Sequence, residues 1–242
     1  MSAEKEKIKY VLFDMDGTIL DTLEDLTNSV NYVLSQYGFP TRKLEEYRRF
    51  FGSGIAYAIR CAAPEGTSEE TIAEMVSMFR PHYNAHCMDN TGPYDGIPEM
   101  MRGLKERGYK LAIVSNKIDS AVQELNRRFF AEYVDAAVGE KPGAQRKPAP
   151  DMIDAALRAL RGTENSTTKC SEGNNGTESG GAGAVYVGDT EVDLKTAENS
   201  GLPCIAVLWG FRGRDQLEKA GARVFAETPE DIIEILEKDP ES

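Results

Sequence analysis

The stretch KYVLFDMDGT, Lys9 to Thr18, frames the fold. Its first half, Lys9–Phe13, is short, apolar and rich in β-formers, which suits a strand buried on both faces of a parallel sheet. Its second half places Asp14 and Asp16 two residues apart where that strand ends, followed by Gly17, which permits a sharp turn. Open α/β sheets bind ligands at the C-terminal edges of their strands. An acidic pair there either faces one crevice, with a cation relieving the repulsion, or is a turn made of ordinary turn residues.

Similar apolar runs recur at Leu111–Val114, Val134–Val138, Ala184–Val187 and Cys204–Leu208, with a weaker one at Ala222–Ala226. Helical patterns alternate with them. Pro98–Arg107 starts on proline and ends before Gly108, and Asp119–Phe130 has Asp119 as its cap. Asp151–Arg161 and Glu191–Ser200 stop at Gly162 and Gly201, and Pro229–Lys238 follows. The alternation predicts the α/β class: a Rossmann-like parallel sheet core with helices on both faces.

One region breaks the alternation. From Leu23 to about Gly92 the pattern is helical with no convincing strand. Leu23, Leu26, Val30, Val33, Leu34 and Tyr37 share one face, Leu44, Tyr47, Phe50 and Phe51 another, and Thr67–Glu70 reads as a capping box before Ile72, Met75 and Phe79. The expected organisation is an α/β core of residues 1–22 and 93–242 carrying an inserted helical cap at 23–92. Within the core, 16 of the 22 residues at 162–183 are Gly, Ser, Thr or Asn and no large apolar residue is present, so this stretch is expected to be a flexible low-complexity insertion.

Three further strand ends carry polar groups. Gly188-Asp189-Thr190-Glu191-Val192-Asp193 follows the run at 184–187, with Asp193 one helical turn beyond Asp189. Carboxylates converging from two strand ends call for a hard divalent cation, Mg²⁺ above others. The alternative is that they only favour a helix N-terminus. Ser115-Asn116 follows the run at 111–114 and, with the next helix start, suits a phosphate oxygen, or is a plain turn. Lys147-Pro148-Ala149-Pro150 places a lysine in a stiffened loop, though a lone lysine is usually just solvated. An acidic pair, Ser/Asn, Lys-Pro and a second acidic pair thus occur in order at successive strand ends. The joint pattern is far more specific than any member.

Composition sets bounds. The 242 residues carry net charge −12, which opposes nonspecific binding to nucleic acid, and 40% hydrophobic content allows a sizeable core. No run approaches a membrane span, and MSAEKEKIKYVLFD lacks the features of a secretory signal. Cysteines at 61, 87, 170 and 204 have no metal-knuckle spacing and read as reduced thiols of a cytoplasmic protein.

Taken together, these motifs resemble those of haloacid dehalogenase superfamily phosphatases with a helical cap inserted after the first motif. Asp14-x-Asp16-Gly17-Thr18, Ser115-Asn116, Lys147-Pro148-x-Pro150 and Gly188-Asp189-Thr190-x-x-Asp193 match the family's four motifs, and the last is similar to that of phosphoglycolate phosphatases. The resemblance implies Asp14 as nucleophile forming an aspartyl-phosphate, and Asp16 as general acid and then base. It implies Mg²⁺ held by Asp14, the Asp16 main-chain carbonyl, Asp189 and Asp193. It gives Lys147 a catalytic role, and Gly17, Thr18, Ser115, Asn116 and Lys147 a place at the substrate. The expected substrate is a small phosphorylated metabolite, 2-phosphoglycolate first, acted on by a monomer or homodimer with no nucleic-acid or membrane partner. A sugar-phosphate mutase, a nucleotide or pyrophosphate hydrolase, and a non-catalytic phosphate-binding module are the alternatives. In the cap, Phe51–Gly54 and Arg60 are candidate substrate contacts, and His82-x-x-x-His86-Cys87 has zinc-like spacing but no fourth ligand nearby.

Overall fold

The computed structural model describes residues 8–165 and 183–238, with side chains up to Gly162 in the first stretch. β1 (Tyr10–Phe13) and a two-residue β2 (Leu20–Asp21) lead into α1 (Leu23–Gln36), α2 (Leu44–Tyr47), α3 (Ile55–Ala62) and α4 (Glu69–His86). The chain returns through β3 (Gly92–Pro93) to α5 (Ile97–Glu106), β4 (Lys110–Ile118), α6 (Asp119–Phe129), β5 (Ala136–Glu140) and α7 (Asp151–Asn165). β6 (Ala184–Gly188), α8 (Glu191–Asn199), β7 (Cys204–Val207), α9 (Arg214–Lys219), β8 (Val224–Ala226) and α10 (Pro229–Glu237) complete it.

The main sheet has six strands in the order β5-β4-β1-β6-β7-β8, every neighbouring pair parallel. Period-two alternation sorts β1 between two apolar layers. Val11 and Phe13 join Ile97, Met101 and Leu104 of α5 and Val122 and Leu125 of α6. Tyr10 and Leu12 face the other way, with Ile153, Leu157 and Leu160 of α7. Both faces are therefore covered, and the sequence reads as continuous apolar runs for that reason.

The helical segment has an apolar cluster of its own, in which Val30, Leu34, Tyr47, Ile59, Met75 and Phe79 are buried and to which the core contributes Phe211. Leu44, expected inside, is 38% exposed because α2 is a single turn. β2 and β3 pair antiparallel, Leu20 opposite Pro93 and Asp21 opposite Gly92, so the chain leaves and returns at one point. Two-residue strands, one of them Gly-Pro, carry no period to read in advance.

Other boundaries differ from expectation for local reasons. β5 starts two residues late because Val134 N–H still bonds the Phe130 carbonyl and Asp135 is tied to Lys105, Lys110 and Leu111 N–H. α4 is capped by Ser68, whose hydroxyl accepts from Thr71 N–H at 3.1 Å, while Thr67 donates back to the Pro64 carbonyl; the box over Thr67–Glu70 is not formed. Asp119 lies inside α6, with Ile118 as the cap, and its carboxylate accepts from Gly139 N–H instead. α7 runs through Gly162 to Asn165, since one glycine costs a helix only about 1 kcal/mol. The remainder of the expected insertion, 166–182, lies outside the described residues, as does Cys170.

Candidate active site

All four motifs meet above the C-terminal ends of β1, β4, β5 and β6. The Asp14 loop leaves β1 and turns back at Gly17, whose φ is +85°. A Cβ on Gly17 would sit 2.4 Å from an Asp189 oxygen, so this backbone can approach the second acidic loop only as glycine. Thr18 is fully buried and donates to Asp189 Oδ1 at 3.0 Å, and Phe211 N–H donates to Asp189 Oδ2 at 2.7 Å. Thr18 thus fixes Asp189, and neither Gly17 nor Thr18 lines the cavity described below.

Lys147 is the hub. Its ammonium donates to Asp14 Oδ1 at 2.6 Å, Asp193 Oδ1 at 2.8 Å and the Tyr186 hydroxyl at 3.0 Å. Its main chain is gripped by Asn116, whose Oδ1 accepts from Lys147 N–H at 2.8 Å and whose amide donates to the Lys147 carbonyl at 3.1 Å. Asn116 therefore holds the lysine loop and, like Ser115, also lines the cavity described below. Ser115 is buried, accepts from Lys117 N–H at 3.2 Å and lines the cavity. Both belong to β4, which continues past Val114 through a register shift, where a loop was expected. Asp193 has two duties. Oδ2 accepts from Thr190 N–H and hydroxyl, capping α8, while Oδ1 faces Lys147.

Ligand atoms of Asp14, Asp189 and Asp193 lie within 4.8 Å of one another, and all three residues are buried. Burial pushes the Asp14 carboxyl up to about 7, with Lys147 opposing and Asp193 reinforcing the rise. Burial and then the Asp193 and Asp14 charges push Asp189 well above the carboxylate range. Burial disfavours the Lys147 ammonium, but Asp14 and Asp193 outweigh it and keep its pKa above the ordinary value. One lysine among three buried carboxylates leaves negative charge uncompensated, and an all-oxygen, carboxylate-rich donor set fits a hard divalent cation.

The Asp16 carboxylate is not part of that cluster. It points to Lys117 Nζ at 2.8 Å. The motifs do not reach Lys117, which adjoins Ser115-Asn116, nor Tyr186, nor Tyr83 and Arg146, both of which line the cavity described below. Adjacency to a motif was the available signal for Lys117 and Arg146; the two tyrosines sit in apolar patterns and gave none.

A cavity of about 130 Å³ lies over these groups. Asp14, Asp16, Ser115 and Lys147 form its floor, and Phe51, Gly52, Gly54, Ile55, Phe79 and Tyr83 of the helical segment form its roof. The Phe51–Gly54 loop is thus placed at the site, except that Ser53 is directed at Glu191. Arg60 is not: it is exposed and paired with Glu69. His82 bonds Ser29 and stacks on Tyr32, and His86 pairs with Asp89. Among the described residues no second metal-ligating cluster forms.

The sequence profile of haloacid dehalogenase-like hydrolases matches residues 11–207. The chain belongs to this family. Within it, a phosphoglycolate phosphatase of Cereibacter sphaeroides is 32% identical over 84% of this chain and 86% of its own. The pyrophosphatase PpaX of Halalkalibacterium halodurans is 27% identical over 95% of this chain and 97% of its own. The crystal structure of a Lactobacillus delbrueckii subsp. bulgaricus protein, 36% identical, superposes with a TM-score of 0.82 over 95% of this chain and 98% of that one. CbbY of Rhodobacter sphaeroides, solved with phosphate, is 25% identical with a TM-score of 0.67 over 93% and 96%. No helix among the described residues is long and apolar enough to cross a membrane.

Proposed function

We propose that this hydrolase is a Mg²⁺-dependent phosphatase of small phosphate monoesters, with 2-phosphoglycolate as the leading substrate, and that residues 23–92 act as its cap. The observation that carries the reading is Asp14 held at 2.6 Å by Lys147 beside the buried carboxylates of Asp189 and Asp193. A nucleophile, a fixed cation and a metal-ready cluster around one open cavity are what phosphoryl transfer needs, since it depends on positioning and charge neutralisation.

Asp14 attacks phosphorus through a carboxylate oxygen, and the ester P–O bond breaks with its electron pair on the leaving oxygen. Asp16, on the cavity wall, gives its proton to that oxygen, and the aspartyl-phosphate remains. Asp16, now a carboxylate, takes a proton from water as the water attacks phosphorus and Asp14 is released. Lys147 holds Asp14 throughout and offsets phosphoryl charge, while Ser115 offers its hydroxyl to a phosphoryl oxygen. Asp14, Asp189, Asp193 and the Asp16 carbonyl would hold Mg²⁺, which when bound supplies charge neutralisation for the phosphoryl oxygens.

The cavity is smaller than the ~300–1,000 Å³ of drug-sized pockets, which supports a small ester. The likeness to PpaX favours pyrophosphate as the second reading. Phosphate release from 2-phosphoglycolate, sugar phosphates, nucleotides and pyrophosphate, with Mg²⁺ and with EDTA, tests both. Mg²⁺-dependent turnover of one small ester is expected. A folded protein that binds Mg²⁺ and hydrolyses none of them would remove the phosphatase reading.

A further inference from the structure

Two lysines sort three of the four carboxylates at this site; the fourth, Asp189, is held by Thr18 and Phe211 N–H. Lys147 takes Asp14 and Asp193; Lys117 takes Asp16 alone. The second lysine is nearly as buried as the first, its side chain 5% exposed against 3%. Its ammonium also meets Tyr83 of α4: it donates to the tyrosine hydroxyl and lies 4.6 Å from the ring centroid. Tyr83 is itself 4% exposed and stacked on Phe79 at 5.2 Å, inside the apolar cluster of the helical segment. A continuous chain of contacts therefore runs from that segment through the buried Tyr83 and Lys117 side chains to the half-buried Asp16. Burying a lysine costs several kcal/mol before its partners repay it, so such a pair is weak evidence for stability, and fixing a geometry is its better-attested use.

We propose that Lys117, anchored by Tyr83, is a positioning residue that parks the Asp16 carboxylate on the cavity wall and keeps it out of the Asp14–Asp189–Asp193 cluster. The inference rests on the phosphatase reading above and adds a dependence of acid placement on the helical segment. Without Lys117, Asp16 loses the cation that sits 2.8 Å from its carboxylate, and the proton reaches the leaving oxygen from a less favourable place. Esters whose leaving group must be protonated then suffer. An ester whose leaving group departs as a stable anion does not.

The test compares kcat/KM, which reports the steps through departure of the leaving group, for two substrates. One is the alkyl monoester turned over best in the panel; the other is acetyl phosphate, which expels acetate without needing a proton. Lys117→Met is expected to lower kcat/KM for the alkyl ester about 100-fold, the lower end of general-acid contributions, and that for acetyl phosphate less than about threefold. Lys117→Arg should recover part of the alkyl-ester rate. Tyr83→Phe, which keeps the ring but loses the hydroxyl, should give the same selective loss at about threefold to tenfold. Equal losses on both substrates in folded variants would overturn the proposal and leave the phosphatase intact. If Lys117→Met does not fold, Tyr83→Phe decides by the same ratio. A wild type that turns over neither substrate brings down the phosphatase reading and this inference with it.

Discussion

On the sheet side of the cavity, Asp14, Asp189, Asp193 and Lys147 are buried among one another, and hydrogen bonds hold each in place. On the helical side, Phe51, Ile55 and Phe79 are held by packing. That side is tied to the rest by few polar contacts. Arg48 donates to the Gly210 carbonyl, Arg212 returns a bond to the Arg48 carbonyl, and Lys117 meets Tyr83. Asp25, in the first turn of α1, ties the start of the segment to its end by accepting from Asn90 and Thr91. The floor concentrates like charge at a cost in stability, and the roof contributes apolar burial and no buried carboxylate of its own at the cavity. Chemistry and folding energy are thus assigned to different walls of one pocket.

Substitutions on the two walls should therefore fail differently. Asp14→Asn should remove turnover by about 10⁴-fold or more, as loss of a nucleophile does. The melting temperature of the metal-free protein should hold or rise, because a crowded buried charge is gone; a clear fall would show the acidic cluster stabilises the fold. Met75→Ala, in the roof cluster but not at the cavity, should cost about 2–5 kcal/mol in denaturant unfolding with kcat near wild type in the folded fraction. A large kcat loss there would break the division.

The pH dependence of metal stabilisation sharpens the same contrast. Asp14 is raised from 3.8 to about 7, so in the metal-free fold its contribution is present at low pH and is lost as pH rises through about 7. Metal binding needs the carboxylates ionised and releases their protons. The Mg²⁺-induced gain in melting temperature should then be larger at pH 8 than at pH 6, and equal gains would argue against Asp14 as a ligand. The smallest effect is expected at Arg60→Ala, which should leave melting temperature and kcat/KM unchanged, because its partner Glu69 is exposed and neither residue reaches the cavity.

The two walls also differed in how far they could be read in advance. Asp14, Asp189, Asp193 and Lys147 were legible because their motifs recur in order at successive strand ends, although each alone has an ordinary turn, cap or solvated reading. Lys117 was not, since a lysine at a strand end is ordinarily solvated, and only the tertiary contact with α4 shows that it is buried. Tyr186 was hidden inside an apolar run, AVYVG, where its hydroxyl gives no periodic sign. The helical segment announced its helices through their apolar faces. Which of those residues would roof the cavity depends on how α1, α3 and α4 pack, and period alone does not specify that. Ser68 and Thr67 compete for the same cap by one residue, and the winner is set by the Pro64 carbonyl that Thr67 already satisfies.

The pairing of Leu20–Asp21 with Gly92–Pro93 makes the whole intervening segment a detour between two adjacent points. Residues opposed in an antiparallel pair have Cα atoms only about 5 Å apart, a gap that a tight turn can bridge. The junction itself therefore sets no length for what is inserted there, and the constraints on the insert come from contacts such as Tyr83–Lys117 and Arg48–Gly210. This junction is a socket: the catalytic sheet can keep its residues while the piece plugged into it is lengthened, exchanged or redesigned to admit a different ester.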